Sequence, residues 1–293
     1  MMMTFFAMVA SSALLAVQSN GPWAGGGRAP ALRAPAPPRL PAKGTSLVVV
    51  GQGGSDSAAT YSDGESDPPV ISVLGSALSP SGVAIDARGT VYATSNGAVA
   101  EFAKGHTNPT KTLTNGLALA YAVAVNSKRT LFVLDLVYGI VEFPAGASKP
   151  SVTISAPELE VDAAETFDVN DNLYVATPDG HVYVIAAGTR KVKNLGLNDL
   201  FRPSGIAFDS TGLLYVSNAA GVYVYRLGKR DPIRIILTST SSPGQLAFDA
   251  NGLMYVVMPN QYYVAIYLPG ADQPWGSITQ GMNFPVSITI GGS

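Results

Sequence analysis

Pro203-Ser204-Gly205-Ile206-Ala207-Phe208-Asp209-Ser210-Thr211-Gly212-Leu213-Leu214-Tyr215-Val216-Ser217-Asn218 is the stretch whose reading decides the fold. Ile206 to Phe208 is a short apolar run. Asp209 to Gly212 is turn chemistry, because an Asp side chain can accept from backbone two residues on and Gly takes positive φ. Leu213 to Val216 returns as a second apolar, aromatic run, so the sixteen residues spell a β-hairpin. Val222-Tyr223-Val224-Tyr225 then Arg226-Leu227-Gly228 add a third strand and a turn, and the pattern restarts at Pro243 with Leu246-Ala247-Phe248-Asp249.

The unit recurs along most of the chain. Its hairpin aromatic falls at Tyr92, Phe132, Tyr174, Tyr215 and Tyr255, each six residues after a polar turn-opener (Asp86, Asn126, Asp168, Asp209, Asp249). A second register runs in phase with the first. Tyr61, Phe102, Phe143, Ile185, Tyr225 and Tyr267 are each followed three residues later by Gly (Gly64, Gly105, Gly146, Gly188, Gly228, Gly270). A period near 41 residues with four short strands is the signature of a propeller blade, and no helical stripe competes with it after position 45. The ends complement each other. Pro285 to Ile290 matches only the first strand of a unit, whereas Ser46–Val50, Ala58–Tyr61 and Val70–Val73 match only its second, third and fourth. The expectation is an all-β, six-bladed β-propeller over 46–293. One blade is shared between N-terminal strands (about 46–74) and a C-terminal strand (about 285–291), which removes open edges.

The run from Pro203 to Asn218 resembles the NHL-repeat propellers and, more loosely, the gluconolactonase and strictosidine-synthase-like six-bladed group. The resemblance covers essentially all of 46–293. It implies a ring of short blades with ligands over the central channel. For the gluconolactonase-like members it also implies a divalent cation held by acidic and Asn side chains at the inner-strand entrances. Here those entrances read Pro80-Ser81, Ala120-Tyr121, Asp162-Ala163, Pro203-Ser204, Pro243-Gly244 and Pro285-Val286. Only Asp162 offers a charged oxygen, whereas a hard cation takes six to eight. The family's hydrolase site therefore reads as absent, and the alternative function is a metal-dependent hydrolase or lactonase with a displaced cation site. No cofactor is expected unless such a site holds a divalent cation such as calcium.

Residues 1–19 read as a signal peptide. The apolar run Phe5–Val17 is too short to span a bilayer, and Val17-Gln18-Ser19 suits cleavage. Residues 20–45, with Gly25-Gly26-Gly27 followed by Pro30, Pro35, Pro37, Pro38 and Pro41, read as a disordered Pro/Ala/Gly-rich linker. Secreted, periplasmic or cell-surface placement follows, with no transmembrane span and a monomeric body. The four basic residues before position 46 leave the remainder with 14 basic against 20 acidic residues, about −6. That excludes a phosphate-binding surface for nucleic acid. Absence of cysteine excludes disulfides, thiolate metal sites and cysteine nucleophiles.

Chain direction sorts the loops. Those entering each inner strand, and those joining second to third strands, share one rim, here called the top. The Asp-x-x-Gly hairpins and the Gly turns share the bottom. Binding residues belong in top loops, where Tyr121, Asp135, Tyr138, Asn218, Asn260, Gln261 and Tyr262 supply aromatic and amide groups suited to a protein, peptide or carbohydrate ligand. Glu158, Glu160 and Asp162 alternate in one loop, with Glu165 following, and are the candidate cation ligands. Ser81 and Ser204 lie near the channel without a His/Asp partner in reach, and the only histidines are His106 at the bottom and His181 at the top. The function expected is a non-catalytic binding scaffold working through its top face.

Overall fold

The structure, a computed structural model, describes residues 46–55, 57–75, 80–159, 164–237 and 242–291. The proposed signal peptide, the linker, Glu160 and Asp162 lie outside the described residues.

Among the described residues, twenty-four strands form six four-stranded antiparallel sheets. Leu47–Gln52 (β1), Ser57–Ser62 (β2) and Ser72–Gly75 (β3) begin the closing blade. The second blade is Val83–Ile85 (β4), Val91–Ser95 (β5), Ala98–Phe102 (β6) and Lys111–Leu113 (β7); the third is Ala120–Val125 (β8), Leu131–Asp135 (β9), Gly139–Phe143 (β10) and Val152–Ile154 (β11). The fourth is Ala164–Phe167 (β12), Leu173–Thr177 (β13), His181–Ile185 (β14) and Val192–Asn194 (β15); the fifth is Gly205–Phe208 (β16), Leu214–Asn218 (β17), Gly221–Tyr225 (β18) and Arg234–Leu237 (β19). The sixth is Leu246–Phe248 (β20), Met254–Met258 (β21), Tyr263–Tyr267 (β22) and Gly276–Ile278 (β23), after which Pro285–Gly291 (β24) completes the first. Sheet order β24-β1-β2-β3 confirms the shared blade, with Val50 opposite Ile288 and Val48 opposite Ile290. Neighbouring inner strands, β4 against β8 and β16 against β20 among them, pack around the axis.

The hairpin that announced the fold works by one repeated device. The opener's Oδ1 accepts from the backbone N–H two and four residues on: Arg88 and Thr90 to Asp86, Lys128 and Thr130 to Asn126, Asn170 and Asn172 to Asp168, Thr211 and Leu213 to Asp209, Asn251 and Leu253 to Asp249. The residue three after the opener then sits at positive φ, and in three blades it is Gly (Gly89, Gly212, Gly252). In the other two it is Arg129 at φ 63° and Asp171 at φ 61°. Both use their side chains between hairpins: Arg129 Nε donates to Asp86 Oδ2 at 2.6 Å, and Asp171 accepts from the Ser127 backbone and hydroxyl. Left-handed strain at a non-Gly residue is offset there by a cross-hairpin bond.

Blades pack face to face through six apolar clusters. In one, Tyr174, Ala176 and Val182 of the fourth blade meet Ile206, Leu214, Val216 and Tyr225 of the fifth. Near the axis the approach is closer still, and small residues are required. A Cβ on Gly205 would lie 2.5 Å from the Gly244 carbonyl oxygen and 2.7 Å from the Gln245 Cα. Both are backbone atoms of the next blade and cannot rotate away. Gly205→Ala is expected to cost about 1–3 kcal/mol by overpacking, read as a lower denaturant midpoint with unchanged slope. The same substitution at Gly228, where a Cβ would meet nothing within 4 Å but φ is 84°, should cost less, from backbone strain alone.

Candidate functional site: the top mouth of the channel

A cavity of about 460 Å³ opens at the top of the axis, lined among others by Tyr121, Phe201, Arg202, Ser204, Ala219 and Gln245. It is built from inner-strand entrances and from the loop joining the fourth blade to the fifth. That loop is fixed in place, since Ala219 N–H donates to the Phe201 carbonyl at 3.4 Å and Asp199 and Arg202 both hold positive φ. Phe201 is 68% exposed.

The hydroxyls at the entrances act as clamps between blades. Ser81 Oγ donates to the Tyr121 carbonyl at 2.8 Å, and Thr94 Oγ1 donates to the same oxygen at 2.9 Å. One repeat type later, Ser204 Oγ donates to the Pro243 carbonyl at 2.5 Å and Ser217 Oγ to the Gly244 carbonyl at 2.6 Å. A serine whose proton is held by a main-chain carbonyl is positioned for ring closure, not for nucleophilic attack.

The sequence-derived residues fall into different surroundings. Tyr121 lines the mouth. Asp135 is fully buried; its Oδ2 accepts from the Ala118 and Leu119 amides and its Oδ1 from Val137 and Tyr138. Asn218 is 1% exposed, and its Oδ1 closes a turn onto the Ala220 amide. Both are buried side chains whose oxygens are engaged in turns. Tyr138 and Tyr262 are exposed on the top rim, outside the mouth lining. Asn260 and Gln261 sit in the 3-10 turn Pro259–Gln261, which ends on Tyr262 at positive φ. The Tyr262 ring meets Phe284 edge-on at 6.1 Å. Glu158 lies in the 3-10 turn Pro157–Leu159. Its two proposed co-ligands are outside the described residues, and among the described residues no three His, Asp or Glu side chains converge. At the inner-strand entrances the described residues are Ser81, Tyr121, Ser204, Gly244 and Val286. His181 is exposed, 4.0 Å from Asp179.

Glu165, read from sequence as part of an acidic loop, stands instead within β12, between blades. It pairs with Val175, and register places Val83, Val123, Ile206, Leu246 and Ile288 at the same point of the other inner strands. Five aliphatic residues and one Glu share one structural position. Neither Glu165 oxygen has a hydrogen-bond partner among the described residues. Burial pushes its carboxyl up to about 8, opposed by the nearby backbone amides of Leu134 and Ala124, which remain beyond hydrogen-bond geometry. The signal was present in the sequence as the lone acid at a core register; its neighbours Glu158 to Asp162 disguised it.

No protein-family model matches the chain, and no curated protein does. Solved structures do. The chain superposes on one from the crystal structure of a nidogen/laminin complex with TM-score 0.70 and 15% identity, covering 84% of this chain and 98% of that one. It superposes on the WD40 β-propeller domain of Doa1 with TM-score 0.61 and 13% identity, covering 82% and 80%. At such identities the likeness establishes the fold alone. The chain is a six-bladed β-propeller. No helix among the described residues is long and apolar enough to cross a membrane.

Proposed function

We propose that this propeller is an exported, tethered, non-catalytic binding module that captures a polypeptide on its top face. The observation that carries the reading is where its exposed apolar side chains lie. Twelve large hydrophobic residues are exposed among those described, and six of them (Leu119, Val137, Tyr138, Phe201, Tyr262 and Phe284) belong to top loops. The rest divide between the bottom turns and the outer strands. Exposed apolar side chains on the same rim as a concavity are a layout suited to recognition. Aromatic anchors of this kind dominate binding energy where they become fully desolvated. The NHL-like repeat and the export-like N-terminus support the reading by resemblance and composition. So does a propeller neighbour from a protein complex, nidogen/laminin. Binding by these groups needs no cofactor. Carbohydrate is the other ligand suited to aromatic and amide groups, but rim side chains such as Leu119, Val137 and Phe201 lack the hydroxyl-reading atoms it needs.

The test is selection from a random octapeptide library on immobilised protein. Phe201→Asp and Tyr262→Asp should each lower the affinity of selected peptides at least tenfold. Val169→Asp, at a 95% exposed residue of a bottom hairpin, should leave it unchanged. Equal loss from the bottom substitution, or no peptide selected at all, would sink the assignment.

A further inference from the structure

The chemistry of the mouth narrows the ligand further, given that the top face is the binding face. Among the thirteen described residues lining the cavity only one is charged, Arg202. It is exposed and, among the described residues, makes no hydrogen bond or ion pair; the guanidiniums of Arg88, Arg190, Arg226 and Arg230 are also unpaired, but Arg202 is the one that lines the cavity. A guanidinium left unpaired beside a concavity is a fork of donors without an acceptor.

The second unusual group lies at the cavity floor. At the level just inside each inner-strand entrance, register aligns Gly82, Ala122, Ala164, Gly205 and Ser287, all small, with Gln245. Small residues are needed there because adjacent backbones nearly touch, as at Gly205. Gln245 is the one long side chain at that level. It is half-buried, forms no side-chain hydrogen bond among the described residues, and lines both the mouth and a deeper axial cavity of about 260 Å³. A half-buried amide without a partner is a group waiting for one, since buried polar groups are normally satisfied. The entrance hydroxyls of Ser81 and Ser204 are spent on carbonyls and do not compete for a ligand.

We infer that the mouth is a carboxylate receptor: Arg202 pairs with a carboxylate of the bound peptide, Gln245 reads a polar atom below it, and Phe201 and Tyr121 cover an adjacent apolar side chain. An aspartate or glutamate side chain and a C-terminal carboxylate present the same two oxygens, and bidentate pairing with a guanidinium suits either. The cavity of about 460 Å³ accommodates one or two residues, so the peptide would enter by its tip.

The experiment uses two random octapeptide libraries, one with free C-terminal carboxylates and one amidated, both selected on the intact protein. Enrichment of Asp or Glu in the amidated library identifies the side chain as the source. Enrichment only in the free-acid library identifies the C-terminus. In either case Arg202→Leu should weaken selected peptides about tenfold or more and flatten the dependence of affinity on salt between 50 and 500 mM. Phe201→Ser should weaken them with the salt slope retained, because it removes apolar cover without changing charge. Gln245→Ala should weaken binding without altering salt dependence. Peptides that bind the top face, are lost with Phe201→Asp, and yet show no acidic or free-carboxyl preference would overturn the carboxylate receptor while leaving the polypeptide-binding module intact. No top-face peptide at all would overturn both.

Discussion

Glu165→Leu is expected to stabilise the protein at neutral and alkaline pH rather than weaken it. The carboxyl is buried with no partner, and its proton is held to about pH 8. In an unfolded chain a glutamate releases its proton near its ordinary value of about 4.3. With a raised folded value, the folded state binds more protons over that window, so its contribution to stability is fully present below about pH 4 and falls as pH rises to about 8. At about 1.4 kcal/mol per unit the loss is on the order of 3–5 kcal/mol by pH 8, with relaxation of the site reducing it. The leucine side chain matches Leu246 at the corresponding point of the sixth blade and removes this dependence. Unfolding of the wild type should therefore shift to lower denaturant between pH 5 and 8 by more than that of the variant, whose midpoint lies above it at pH 8. At about 2–4 °C per kcal/mol for a domain of this size, the thermal difference is measurable. A variant less stable than wild type at pH 8 would mean that the carboxyl has a native partner, and the site would then have to be reassigned.

Deleting residues 285–293 should abolish cooperative folding. The deletion removes β24, the only segment that gives the closing blade its inner strand. Six residue pairs from Leu47–Gly291 to Gln52–Pro285 are lost, and with them the ladder along β1. Ile288, 4% exposed, leaves a cluster that contains Val48, Val50, Tyr61, Tyr255 and Ile278. The ladder is worth about 0.5–1.5 kcal/mol per hydrogen bond and the buried isoleucine about 1.5–3 kcal/mol. Their sum is comparable to the whole stability of a typical domain, roughly 5–15 kcal/mol. The open edge of β1 would also invite association with other chains. A peptide spanning residues 285–293, added in trans, should restore a sigmoidal transition in a concentration-dependent way, because it carries the six residues that pair with β1 and returns Ile288 to its cluster. A truncated chain that melts like the full one would show that the ring does not depend on this clasp.

How much of this was legible beforehand depended on whether a residue repeats. Asp209, Gly212 and Tyr215 were readable as scaffold because each has counterparts in other blades, and local turn chemistry alone explains them. The six glycines of the second register all take φ between 72° and 84°, in keeping with the turns their spacing implied. Function was harder to read for the same reason. Asp135 and Asn218 look like ligand groups in sequence because they are polar and near a rim, yet four backbone amides occupy the one and a turn the other. Arg202 and Gln245 carry no motif. Only the ring makes them stand out, by setting Gln245 among five small residues and placing Arg202 at the cavity with no acid beside it among the described residues.

The sequence by itself determined the strands, the turns, the number of blades and the shared closure, because hairpin chemistry and alternation act over a few residues and the period repeats them. The tertiary structure alone decided which polar side chains are spent and which are free. Those partners come from the next blade, some 40 residues away along the chain: Ser204 finds Pro243, Arg129 finds Asp86, and Glu165 finds none. Whether a hydroxyl, guanidinium or carboxyl can serve a ligand is a property of that packing, and no local pattern encodes it.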